Sequence, residues 1–83
     1  MTRVMRPAAA ALRVRESAAG ILESIELFGV VSEVQVVERW RISERWWPQP
    51  IDREYLRVTG PGWLALIFHD LLSGGWFLER IYD

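Results

Sequence analysis

Turn-forming residues punctuate this chain about every eight to twelve positions, which leaves room for short strands and little else. Ser17-Ala18-Ala19-Gly20, Phe28-Gly29, the Pro48 and Pro50 pair, Thr59-Gly60-Pro61-Gly62 and Asp70-Leu71-Leu72-Ser73-Gly74-Gly75 separate segments rich in Val, Ile and aromatic residues. Gly takes positive φ at no steric cost, and Pro cannot donate to a sheet ladder. The pattern predicts an all-β domain of about six strands, an antiparallel meander forming a curved sheet or half-barrel.

The segments follow from alternation. Leu12-Arg13-Val14-Arg15 alternates as a strand, so we expect one over 11–16; the alanines before it leave a short helix within 7–19 as the alternative. Ser24-Ile25-Glu26-Leu27 alternates again. The longest extended segment runs over 30–42, with Val34, Val36, Trp40 and Ile42 on the inward side and Arg39 and Arg41 on the other. Val37 interrupts the polar side, as a β-bulge would. Residues 54–58, 63–69 and 76–82 complete the set as three consecutive antiparallel strands. Residues 1–10 read as a flexible leader and 11–83 as a single β domain.

With 83 residues, the chain suffices for one domain with marginal stability. No cysteine is present to staple it, which fits a reducing compartment. The alanine run after Arg6 is stopped by Arg13, Arg15 and Glu16, too early for a signal peptide, and no apolar run is long enough to span a membrane. A cytoplasmic protein is the expectation. A net charge of −1 argues neither for nor against nucleic acid.

Chemistry concentrates in Trp40-Arg41-Ile42-Ser43-Glu44-Arg45-Trp46-Trp47 and the following Ile51-Asp52-Arg53-Glu54-Tyr55. Trp and Tyr anchor contacts, and Arg offers a planar donor fork that also stacks on rings. Trp40 and Trp76 are expected mainly in the core. Arg41, Arg45, Trp46, Trp47, Arg53 and Tyr55 are the candidate partner-binding residues. A protein interface uses these residue types as hot spots. A single-stranded nucleic-acid groove uses them to stack bases and hold phosphates. The interleaved Glu38, Glu44, Asp52 and Glu54 dilute a phosphate-binding field and favour the protein partner.

Nothing reads as an enzyme. His69 is the only imidazole, and its neighbour Asp70 faces the opposite side of a strand, so no catalytic pair is expected. One His without Cys builds no structural zinc site, and no cofactor motif is present. The carboxylate pairs Asp52 with Glu54 and Glu23 with Glu26 sit among arginines and read as ion pairs.

The pattern Trp40-Arg41-Ile42-Ser43, Trp46-Trp47, Arg53-Glu54-Tyr55 resembles the C-terminal region of ImuB-like proteins, inactive Y-family DNA polymerase homologues of bacterial mutasomes. The resemblance extends through Ile67-Phe68-His69-Asp70, Ser73-Gly74, Trp76-Phe77 and Tyr82-Asp83, over roughly residues 30–83, and also takes in short standalone bacterial proteins. It implies a non-catalytic, partner-binding module that accompanies error-prone translesion synthesis. Its implied partners are a polymerase or a RecA-like accessory protein. The polymerase domains themselves are absent from this chain, so only the module carries over. An open sheet this small must also protect its edges, which favours a homodimer or docking to a larger protein.

Overall fold

The computed structural model describes residues 10–45, 48 and 50–82. Seven strands follow one another: β1 (Ala10–Glu16), β2 (Leu22–Leu27), β3 (Val30–Glu33), β4 (Gln35–Glu44), β5 (Ile51–Gly60), β6 (Trp63–Asp70) and β7 (Trp76–Tyr82). No helix occurs among the described residues, so none there is long and apolar enough to cross a membrane. The segment left open between helix and strand is strand β1, which starts at Ala10, one residue inside the expected leader.

All seven strands join one antiparallel sheet in the order β3-β2-β1-β7-β6-β5-β4. The consecutive run β5-β6-β7 is the expected meander. The two edge strands, β3 and β4, are neighbours in sequence, separated by Val34 alone. The chain therefore steps from one edge to the other within a single residue. The sheet can satisfy that only by curling until its edges meet. The Val34 N–H donates to the Glu23 carbonyl at 3.0 Å and fastens the corner, and the Val34 side chain is buried there.

The curl produces a half-barrel with a concave and a convex face. Leu22 and Ile25 from β2 pack across the concave side against Leu56 and Val58 of β5 and Ala65 and Ile67 of β6. Ile25, Leu56, Ile67 and Val58 are fully buried. Leu12, Val14, Val36, Trp63, Trp76, Leu78 and Ile81 surround that cluster.

Two expectations for the long segment need correction. It is not one strand over 30–42, because Val34 breaks it into β3 and β4. In addition, the register with β5 slips between Val36 and Glu38, leaving Val37 unpaired and exposed. That bulge exchanges the faces of everything beyond it, since side chains alternate along a strand. Val34 and Val36 point inward as expected. Trp40 and Ile42 lie on the convex side, and Arg39 and Arg41 on the side of Leu56 and Glu54. Trp76 is half-buried and packs against the core cluster as expected, whereas Trp40, also half-buried, stands apart from it on the convex face.

The β5–β6 turn is Pro61-Gly62, with Gly60 opposite Trp63 and φ of 78° at Gly62, the order of a type II turn. The Trp63 indole lies directly on Gly60, where an added Cβ would collide with ring atom Cζ2. Gly60→Ala must displace the ring and should cost about 1–3 kcal/mol, as overpacking does. Leu56→Ala, at the centre of the cluster, should cost about 2–5 kcal/mol in urea unfolding. A Gly60→Ala variant as stable as the wild type would show that the indole is free to leave.

Candidate functional site

On the convex face, cross-strand register aligns one aromatic side chain from each of four adjacent strands. Trp40 is opposite Tyr55, Tyr55 opposite Phe68, and Phe68 opposite Phe77. Their ring centroids follow at 5.7, 5.4 and 5.2 Å, with interplanar angles of 10°, 45° and 25°. Adjacent strands lie about 4.8 Å apart, so rings at such spacing stand off the sheet side by side. They turn their faces to one another and their edges outward.

Arginines cover what the rings leave open. The Arg53 guanidinium lies 4.4 Å from the Phe68 centroid, and its Nη1 donates to the Tyr55 hydroxyl at 3.1 Å. Arg57 sits 5.4 Å from the Trp40 ring and 5.9 Å from that of Tyr82, and pairs with Glu38. Arg80 lies 5.8 Å from the Tyr82 ring. Phe68 is only 4% exposed despite being on the convex face, because Tyr55, Phe77 and Arg53 enclose it. Cation–π contacts of this kind contribute about 0.5–2 kcal/mol each, depending on desolvation.

The six residues expected to form one binding cluster are divided by the structure. Arg53 and Tyr55 belong to the convex ladder. Arg41 projects to the other side, where its Nε and Nη2 donate to Asp52 Oδ1 and Oδ2, both at 2.8 Å. Arg45 follows β4 and is exposed; its charge acts on Asp52. Trp46 and Trp47 lie outside the described residues. The ladder's other members, Trp40, Phe68, Phe77, Arg57, Arg80 and Tyr82, were not among the expected six. The signal that could have located them is the run Arg53-Tyr55-Arg57 on one parity of β5, which a hairpin through Pro61-Gly62 places opposite Phe68.

The carboxylates behave as ion-pair partners. Besides Asp52 with Arg41, Glu54 approaches Arg39 and Glu23 approaches Arg15, each at 3.7 Å. Asp52 is 7% exposed, and its main-chain carbonyl accepts the Leu71 N–H at 2.8 Å. It thereby ties the start of β5 to the β6–β7 turn. The hydrogen bonds from Arg41 hold the Asp52 carboxyl below the ordinary carboxylate range, against the opposing effect of burial. Asp70 caps the same turn by accepting the Leu72 and Ser73 N–H groups through Oδ1. Burial pushes its carboxyl upward, but those N–H groups, the Ser73 hydroxyl and the Arg53 charge outweigh burial, and the net direction is down. His69 faces away from Asp70 and stacks on the Trp76 indole at 4.2 Å and 4°.

Both depressed carboxyls have the same sign of effect on stability. A folded-state value below the unfolded one means stabilisation that is complete above the unfolded value and lost as pH falls through the folded one. Stability should therefore hold from neutrality to about pH 5 and decline below about pH 4. Asp52→Asn should flatten part of that acid decline while lowering stability at pH 7. An acid limb of unchanged steepness in urea unfolding of Asp52→Asn would contradict the assignment.

No protein-family profile, curated protein or solved structure matches this chain.

Proposed function

We propose that this domain is a non-catalytic protein-interaction module and that the aromatic–arginine face of β4 to β7 is its docking surface. The resemblance over residues 30–83 supports placing it in the bacterial cytoplasm as an accessory to error-prone translesion synthesis. Its partner would be a polymerase or a RecA-like protein. The supporting observation is how the ladder is built. Trp, Tyr and Arg dominate interface hot spots, and here Trp40, Tyr55, Arg53 and Arg57 share one rigid sheet face.

The same geometry weighs against single-stranded nucleic acid. Base stacking needs a free ring face. The inner rings Tyr55 and Phe68 are flanked by rings on both sides, Arg53 covers Phe68, and Arg57 is already paired with Glu38. The three arginines along the rings keep the nucleic-acid reading as the alternative.

Purified error-prone polymerase and RecA-like protein from the same genome, each immobilised, provide the test. Arg53→Ala and Arg80→Ala should weaken capture of one of them by at least about thirtyfold, the loss of a hot-spot side chain. Circular dichroism should show the fold retained. Labelled oligonucleotides should bind weakly, with little change on Trp46→Ala or Trp47→Ala. Sub-micromolar oligonucleotide binding, with a salt slope of about −0.7 per phosphate neutralised, would establish the alternative instead.

A further inference from the structure

The Val34 corner bounds an open cleft of about 790 Å³. The cleft lies between the start of β2 and the β5–β6 turn and shares no lining residue with the aromatic–arginine face. A volume in this range suits a small organic molecule. Leu22 and Val34, both buried core residues, supply its apolar lining together with Pro61. Ile21 stands beside them, 64% exposed.

Three polar side chains meet at this cleft through the sheet register. Arg15 stands opposite Ser24, and Ser24 opposite Glu33, so the three form a row on one face of β1, β2 and β3. Ser24 is 7% exposed, yet its hydroxyl makes no hydrogen bond to any described residue. A buried hydroxyl left unmatched is costly, and this one is satisfied only by what occupies the cleft. Arg15 is engaged by Glu23 at 3.7 Å. Glu33 pairs with no cation among the described residues. The cleft therefore carries one carboxylate more than its ion pair consumes. Gln35 and Thr59, opposite each other on β4 and β5, add an amide and a hydroxyl.

We infer that this cleft binds a small organic cation, a primary ammonium or guanidinium on a short apolar body. The cationic N–H groups donate to the Glu33 carboxylate and the Ser24 hydroxyl oxygen, which belong to cross-strand neighbours. The apolar body lies against Leu22 and Val34 and covers part of Ile21. An anion is disfavoured, because Arg15 already has a carboxylate and Glu33 repels it. An uncharged molecule of the same shape gains nothing from Glu33. This site is separate from the proposed docking face, and either can fail alone.

Benzylamine is the probe, with benzyl alcohol and benzoate as matched controls, each titrated into the isotope-labelled full chain and followed by NMR. The amide signals of Ser24, Glu33, Val34, Gln35 and Thr59 should shift together and saturate with a Kd of about 1 mM, in keeping with so few atoms. Both controls should bind at least about tenfold more weakly. Glu33→Gln, at an exposed position, should weaken benzylamine by at least about tenfold, and Glu33→Lys should transfer the preference to benzoate. Ser24→Ala should weaken it about threefold or more while leaving the urea midpoint unchanged or raised, because it removes a buried hydroxyl without a partner. Shifts that fail to saturate by about 20 mM, equal shifts with benzoate, or full-strength binding to Glu33→Gln would each overturn the inference. None of these outcomes bears on partner capture through Arg53 and Arg80.

Discussion

The single residue between β3 and β4 dictates the shape of this domain. A seven-stranded antiparallel sheet could lie open, with its edges far apart. Here the edges are consecutive in the chain, joined at buried Val34. The hydrogen bond from Val34 to Glu23 holds them together. Closing that corner brings β2 over β5 and β6 and creates a concave core from residues that are not neighbours in the sheet. The same closure covers part of the edge backbone that an open sheet would expose to aggregation.

A curled sheet with few core residues has a second face to account for. The convex ladder is a supplementary packing layer, and its stacked pairs each add about 0.5–1.5 kcal/mol beyond area burial. Phe68 is nearly as buried as the core proper. On the proposed docking face the same rings would carry both structure and recognition, with arginines forming the outermost layer. A substitution at Phe68 would disturb both, whereas Arg53 and Arg80 can be changed with less effect on the fold. The outward edges and guanidiniums form rigid apolar rims alternating with planar donors.

Much of this was legible from residues alone. Gly and Pro marked the turns around β5, β6 and β7; β6 and β7 were legible nearly to their ends, whereas only the middle half of β5 was, since it extends from Ile51 to Gly60. One feature was not legible and a second only in part, for one physical reason. A break at Val34 and a bulge at Val37 both insert a residue out of phase, and alternation read without a partner strand has no reference for phase. Val37 did signal a bulge, yet its consequence, the transfer of Trp40 outward and Arg41 inward, needs the register with β5. The ladder was hidden for a related reason. Tyr55, Phe68 and Phe77 are far apart in sequence and meet only through two hairpin registers. Arg41, adjacent to Trp40 in the chain, belongs to Asp52 on the other side of the sheet.

The junction of β1 with β7 consists of three residue pairs, Ala10 with Leu78, Ala11 with Phe77 and Leu12 with Trp76. On one side stands the three-stranded unit β1 to β3, on the other the broad meander β4 to β7. A narrow ladder between two unequal blocks makes a weak line in the cooperative unit. Amide hydrogens of β5 and β6 can exchange only when the whole domain opens. Those of β2 and β3 can exchange when the smaller block detaches at this line and at the Val34 corner. Folding has a matching order: the meander forms from neighbours in sequence, and the β1–β7 closure, the longest loop, follows.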